Sequence, residues 1–320
     1  AARPGIARRP PHLGVPHPPD VGHFVRERVR EAPPVDGAGQ EDGHAASADD
    51  GPARRGTSGA ADQNLTGTGG FTKSGSGTLL FNAVDSTLSG VWNINEGTLR
   101  TVGNLDSSLG AGTLSLNGGT IEMADTGNRN YASNTTVSAD FTLTPDRSAL
   151  GAGVTHTLGT LTIAGQTLTV KGGTNVNSGT AGLTFGATTF NGSPTFTINK
   201  PAAGGMTLLT LGAIANGAYT MTLKGNGNFA QAGVFGAGAG GLILDVTYAG
   251  TGTLSQANTY TGDTTINGGV LKLGAAAVIP DGAGKGNVSI GSGGTLNTAG
   301  QSEKVNGLSG SGTVDNKTAG

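Results

Sequence analysis

The sequence predicts an all-β chain: a parallel β-helix (solenoid) over residues 63–320, preceded by a disordered leader over residues 1–62. Three observations predict it. Glycine supplies 60 of the 320 residues, far above a usual share of roughly 7%. Short stretches alternate apolar residues with Thr or Ser at period two, and each closes on Gly or Asn-Gly. One strand–corner–strand unit occurs near the start of the regular region and again near its end. Such recurrence marks a solenoid, in which each unit buries its apolar face on its neighbours.

A chain this rich in glycine either stays disordered or turns very often. Disorder goes with high charge and few β-branched residues. After residue 63, Thr, Val, Ile and Leu recur between the glycines, and only 12% of the whole chain is charged, so frequent turning is the reading. The formal net charge of −2 gives no pull towards nucleic acid or an anionic membrane. The absence of Cys excludes thiolate nucleophiles, Cys-ligated zinc and disulfide support, so the core alone must hold the fold. No apolar run approaches the roughly 18 residues of a membrane helix. No signal peptide is visible, and the first residue is Ala1; a fragment of a longer protein is expected.

The leader holds 9 of the 13 Pro, 8 of the 11 Arg and none of the 8 Lys. Runs such as Arg8-Arg9-Pro10-Pro11 block helix and sheet hydrogen bonding alike. Its nine Asp and Glu are interspersed with the Arg, which argues against a basic binding arm. A genuine disordered leader and a translation of GC-rich DNA outside the true frame both fit this composition.

From residue 63 the strands read one after another. Leu161-Thr162-Ile163, Leu168-Thr169-Val170, Phe196 with Ile198, and the run Leu242, Leu244, Val246, Tyr248 all alternate. Asn-Gly pairs at 117–118, 191–192, 216–217, 267–268 and 306–307 supply residues that tolerate positive φ. Such turns also suit antiparallel hairpins, and repetition decides against those. Residues 90–100, GVWNINEGTLR, reappear as 262–272, GDTTINGGVLK. Gly-Thr-Leu precedes each copy, at 77–79 and 252–254, and Gly-Gly-Thr follows, at 118–120 and 293–295. Stacked coils would set charges in repelling ladders, which explains their scarcity. With about 20–25 residues per coil, on the order of eleven coils form a rod roughly 50 Å long. The array is expected to be truncated at its C-terminus.

The stretch 252–274, GTLSQANTYTGDTTINGGVLKLG, resembles the autotransporter-associated beta strand repeat, also called the passenger-associated transport repeat. The residues that carry the resemblance are Gly252, Leu254, Asn258, Thr259, Tyr260, Gly262, Thr264, Gly269 and Leu271. The match is specific over residues 248–314, weaker over 75–121, where Val84-Asp85-Ser86 replaces Asn-Thr-Tyr, and only stylistic over 126–247. The resemblance implies a parallel β-helix passenger exported through an outer-membrane translocation barrel of the full-length protein, with repeats that support transport of the rod. It also implies an extracellular or bacterial cell-surface location.

Candidate chemistry is sparse. The run Gly236–Gly241 precedes a strand and not a helix, so it is a corner loop and not a dinucleotide site. No cofactor and no metal site are expected. His156 is alone outside the leader and is read as a solvated strand residue. A β-helix polysaccharide lyase or hydrolase would need carboxylates gathered in one groove. The 12 Asp and Glu after residue 62 are scattered, the nearest groups being Glu122 with Asp125 and Asp140 with Asp146, so the chain is not read as an enzyme. Trp92 and Tyr131 are read as core or corner fillers, and Tyr260 as a structural ring covering the corner that Gly262 leaves bare. Two functions follow: a structural stalk, or an adhesin that binds glycan or extracellular matrix along the rod. A uniform Thr, Asn and Gly surface favours the first; an exposed aromatic or acidic cluster favours the second.

Overall fold

In the computed structural model of the chain, the described residues are 46–48, 65–82 and 86–318, all within one compact unit, Gly43–Gly320. Of the leader, Ala46–Ala48 form a short strand paired in parallel with Phe71–Lys73. The rest of that reading lies outside the described residues, as do Val84 and Asp85.

Every strand pairing among the described residues is parallel. The chain winds as a three-sided β-solenoid. The first face stacks short strands from Phe71–Lys73 through Trp92–Ile94, Leu114–Leu116, Thr135–Val137 and Leu161–Ile163 up to Ile214–Ala215. The second runs from Thr78–Phe81 through Thr98–Thr101, Thr120–Ala124 and Phe141–Asp146 to Leu308–Gly310. The third begins at Arg129–Asn130 and ends at Thr313–Asp315. Ten successive pairings carry the second face from Thr78 to Leu308, so the mean coil falls within the expected length. At roughly 4.8 Å per turn the stack is about 50 Å long. A single 3-10 turn, Asp106–Leu109, is the only helical element among the described residues.

Period two explains the packing. In the strands of the stack's interior coils one set of side chains points into the solenoid and the other to solvent, so Leu99, Ile121, Leu143, Val170 and Ile198 stack inside while their neighbours face water. The outward ladder of the second face sets six threonines one above another: Thr78, Thr98, Thr120, Thr142, Thr169 and Thr197. Beside it Arg100 and Glu122 are adjacent and ion-paired at 3.2 Å, opposite charges where like charges would repel. Aromatic rings thread the interior. The Trp92 ring lies 4.7 Å from that of Phe71 and 5.4 Å from that of Phe81, and Phe235 bridges Phe190 and Tyr260.

Three features differ from the sequence reading. Positive φ occurs at only two of the Asn-Gly glycines, Gly118 and Gly217. At residues 267–269 it falls one residue later, on Gly269 (φ +62°), while a Cβ on Gly268 would stand 2.7 Å from the Asp245 and Tyr248 carbonyl oxygens; close approach is the reason for that glycine. The strand at Leu242 stops at Leu244. Asp245 then accepts the Thr247 N–H and hydroxyl (2.9 and 2.7 Å), a local turn that competes with the ladder and leaves Val246 73% exposed. Coil length, thirdly, is not uniform. The first-face strands that begin at Thr135, Leu161, Thr188 and Ile214 are more widely spaced along the chain than those that begin at Phe71, Trp92, Leu114 and Thr135. The extra residues form a corner extension with its own two-stranded sheet, Gly151–Ala152 on Val176–Ser178.

Candidate functional site

The nine motif residues form one seam across the last coils. Gly252 and Leu254 lie on Thr251–Leu254, in register with Leu271 and Leu273 of the next coil. On the first face, where regular strands have ended, side chains carry the ladder. The buried Asn258 amide accepts the Phe235 N–H (2.8 Å) and exchanges hydrogen bonds with Gln231 of the preceding coil, then donates to the Val278 carbonyl of the following one (2.8 Å). One side chain thus ties three coils where backbone pairing is sparse. Thr259 continues the stack by donating its N–H to the Phe235 carbonyl (3.0 Å).

Tyr260 points inward, its ring 4.8 Å from Phe235 and its hydroxyl 2.7 Å from the buried Thr264 hydroxyl. Burial pushes that phenol well above its ordinary range, so it stays neutral. It is a core ring, not the corner cover expected. Gly262 is bare for another reason: a Cβ there would lie 2.6–2.7 Å from the backbone of Ala239, Gly240 and Gly241 in the coil beneath. Gly269 turns the corner between the second and third faces, and Leu271 is fully buried beyond it.

A second cluster is not legible in the sequence. Glu122 meets Asp146, not Asp125. Thr144 is its ladder neighbour on the next coil, and Asp146 follows on the same side of that strand, where its carboxyl group acts on that of Glu122. Burial, reinforced by that contact, raises Glu122 to about 7 despite the Arg100 guanidinium at 3.2 Å. Asp146 is fully buried and accepts the Asn175 backbone N–H (3.0 Å) and side-chain amide (3.1 Å). Asp125 instead accepts the Asn104 N–H (2.7 Å) and the Tyr131 hydroxyl. Asp140 accepts the Thr167 N–H (2.7 Å). His156 is not solvated. It faces inward on Thr155–Thr157, in register with Leu183, and is fully buried with Nε2 3.2 Å from the Asp146 carbonyl oxygen. Desolvation lowers its pKa. No sequence signal marks these pairings, because most of them join residues one coil apart, at a spacing that the uneven coils shift. Trp92 and Tyr131 are buried core residues, as expected.

The model of the passenger-associated-transport-repeat matches residues 71–100 and 237–273. Two stretches of the chain are thus similar to the passenger-associated transport repeat. Neither the curated proteins nor the solved structures compared with the chain gave a match. Residues 274–314, part of the stretch 248–314 read as a specific match, lie outside both matched stretches.

The two repeats stand on different faces. In the first, Trp92–Ile94 belongs to the first face and Thr98–Thr101 to the second. In the second, the equivalent residues 264–266 lie on the second face and 270–273 on the third. The repeat therefore spans a strand–glycine corner–strand unit, which occupies a different corner of the solenoid in each copy. Where the second repeat has Thr264 under Tyr260, the first has Trp92, whose indole fills the interior beside Phe71 and Phe81.

Proposed function

We propose that the chain is the β-solenoid stalk of an autotransporter-like passenger, borne on the bacterial surface or secreted, in which the repeats help the rod fold as it is exported. The observation that carries this reading is the coincidence of the two passenger-associated transport repeats with one continuous parallel core. The outer surface supports a spacer over an adhesive rod. Trp92, Tyr131, Tyr248 and Tyr260 are buried, and only Tyr219 among the tyrosines and tryptophan reaches solvent appreciably, so the described residues offer no cluster of exposed tyrosine or tryptophan rings for sugars to stack on. The second face presents threonines instead.

The test is surface display. Joined ahead of an outer-membrane translocation barrel in a Gram-negative host, the chain should become accessible to protease added to intact cells. Loss of the second repeat's seam, by Asn258→Ala with Tyr260→Ala, should lower the displayed fraction several-fold at equal synthesis. Unchanged display with the seam removed would sink the export role.

A further inference from the structure

Asn-Gly pairs stand at six places in the solenoid: the five at 117–118, 191–192, 216–217, 267–268 and 306–307, and a sixth, Asn226-Gly227. Each is a chemical as well as a conformational element. Glycine has no Cβ to shield its own backbone nitrogen, so that nitrogen can attack the amide carbon of the preceding asparagine wherever the two are free to meet. A hydrogen bond on either group, or a backbone fixed in a ladder, opposes the approach.

Five of the pairs are held in this way. The Asn117 amide donates to the Asn95 side-chain oxygen (2.9 Å) and accepts the Ser115 hydroxyl (3.2 Å). Asn216 is buried, and its amide accepts the Gly238 N–H (3.2 Å) and donates to the Gly240 carbonyl (3.1 Å). Asn226 accepts the Lys200 N–H (2.9 Å), and the Gly227 N–H is itself engaged by the Ile198 carbonyl (2.7 Å). Asn267 lies inside the strand Thr264–Leu273, with Gly268 paired to Gly293 of the next coil. Asn306 is exposed, yet its amide accepts the Gly282 N–H (2.7 Å) and donates to the Gly282 and Lys285 carbonyls (2.9 and 2.8 Å).

Asn191-Gly192 differs. It forms the bend that follows the first-face strand Thr188–Phe190. The Asn191 backbone N–H is tied to the Ile163 carbonyl (2.8 Å). Its side chain is exposed, and neither that amide nor the Gly192 N–H has a hydrogen-bond partner among the described residues. A larger residue cannot take the place of Gly192, because a Cβ there would lie 2.6 Å from the Gly165 nitrogen of the preceding coil. Close stacking demands the glycine, and the glycine leaves the asparagine open.

We propose that Asn191 is a self-modification site of the rod, where the chain and water convert the asparagine to aspartate or isoaspartate. The Gly192 nitrogen gives its proton to solvent and bonds to the Asn191 Cγ; the Cγ–Nδ2 bond breaks and ammonia leaves. Water then opens the resulting succinimide at one or the other carbonyl. The product changes the rod in two ways. The sequence has no Asp or Glu between Asp146 and Asp245, so the new carboxylate enters a stretch that otherwise carries only the cations Arg147, Lys171, Lys200 and Lys224. Isoaspartate also adds a methylene to the backbone just ahead of Ser193 and Pro194, whose hydroxyl and carbonyl accept the Thr220 and Thr222 N–H of the next coil (3.2 and 3.0 Å).

Peptide mapping of the whole chain tests this, after incubation at pH 8 both folded and in denaturant, with fragmentation that tells aspartate from isoaspartate. In the folded chain Asn191 should convert several-fold faster than each of the other five asparagines, and a more acidic species should accumulate in step with it. In denaturant the six should convert at similar rates, because glycine follows each of them. A folded chain in which Asn191 stays an amide, or in which another Asn-Gly pair converts as fast, would overturn the proposal. So would an Asn191 that outpaces the rest equally in denaturant, since the selection would then owe nothing to the fold.

Discussion

The motif glycines look alike in sequence and differ in what they do. Gly252 faces inward with ordinary φ, and a Cβ there would meet only side-chain methyl and ring carbons at 3.4–3.9 Å. Gly252→Ala should therefore fit, and should stabilise by roughly 0.4–1 kcal/mol through the entropy of the unfolded chain. Gly269→Ala should destabilise by at least about 1–2 kcal/mol, because φ +62° is a left-handed conformation; the Cβ would also press on the Gly250 carbonyl oxygen at 2.7 Å. Gly262→Ala should be damaging through clash alone. Denaturant melts of the three variants check this ordering; a Gly252→Ala variant as weak as Gly269→Ala would mean that Gly252 has no inward room. Leu271 and Lys272 form a second contrast. Leu271 is fully buried between Gly252 and Leu296, so Leu271→Ala should cost about 2–5 kcal/mol. Lys272 alternates outward, and Lys272→Ala should change stability by less than about 0.5 kcal/mol.

At the scale of elements, strands hold the second and third faces, whereas side chains hold the first face of the last coils. Asn258→Ala would take from the Phe235 N–H, the Val278 carbonyl and the Gln231 side-chain NH2 the partner that Asn258 supplies, at about 1–3 kcal/mol for each group left buried and unsatisfied. Loss of exchange protection at Phe235 and Thr259, with Thr264 on the second face still protected, is the expected pattern; uniform loss would show that the seam is not a separate element. The inward residues of this region are legible in the sequence because strand alternation is local: Leu254, Ile266 and Leu271 follow from period two alone. The hydrogen bonding of Asn258, the stacking of Tyr260 on Phe235 and the Glu122–Asp146 contact are not. They depend on which residues of neighbouring coils come into register, and coil length varies along the second-face ladder. The coil from Thr78 to Thr98 is short, and that from Thr169 to Thr197 is long. The solvated reading of His156 fails for a related reason. An alternating Thr-His-Thr strand gives its period but not its phase, and the phase is set by Arg129 and Leu183 on either side.

For the whole molecule the consequence of stacking is that stability is nearly one-dimensional. Each coil touches only its neighbours, so a rod is a sum of coil and interface contributions and not one cooperative core. A cavity at Leu271 therefore weakens the coils that hold Gly252 and Leu296 and has no direct route to Leu99, which sits many coils earlier on the second face. The interior polar pair Asp125 and Tyr131 and the neighbouring His156 lie beside the aliphatic column between the two repeats. Leu271→Ala should thus unfold in two stages with denaturant. Amides around residues 242–297 should lose protection first, by the full cost of the cavity, while those of Trp92–Ile94 and Thr98–Thr101 keep the wild-type midpoint. Circular dichroism should show sheet signal lost in both stages and essentially no helix in either. If the amides of both repeats opened together at one lowered midpoint, the rod would be a single cooperative unit, and the independence of the two repeats along it would have to be abandoned.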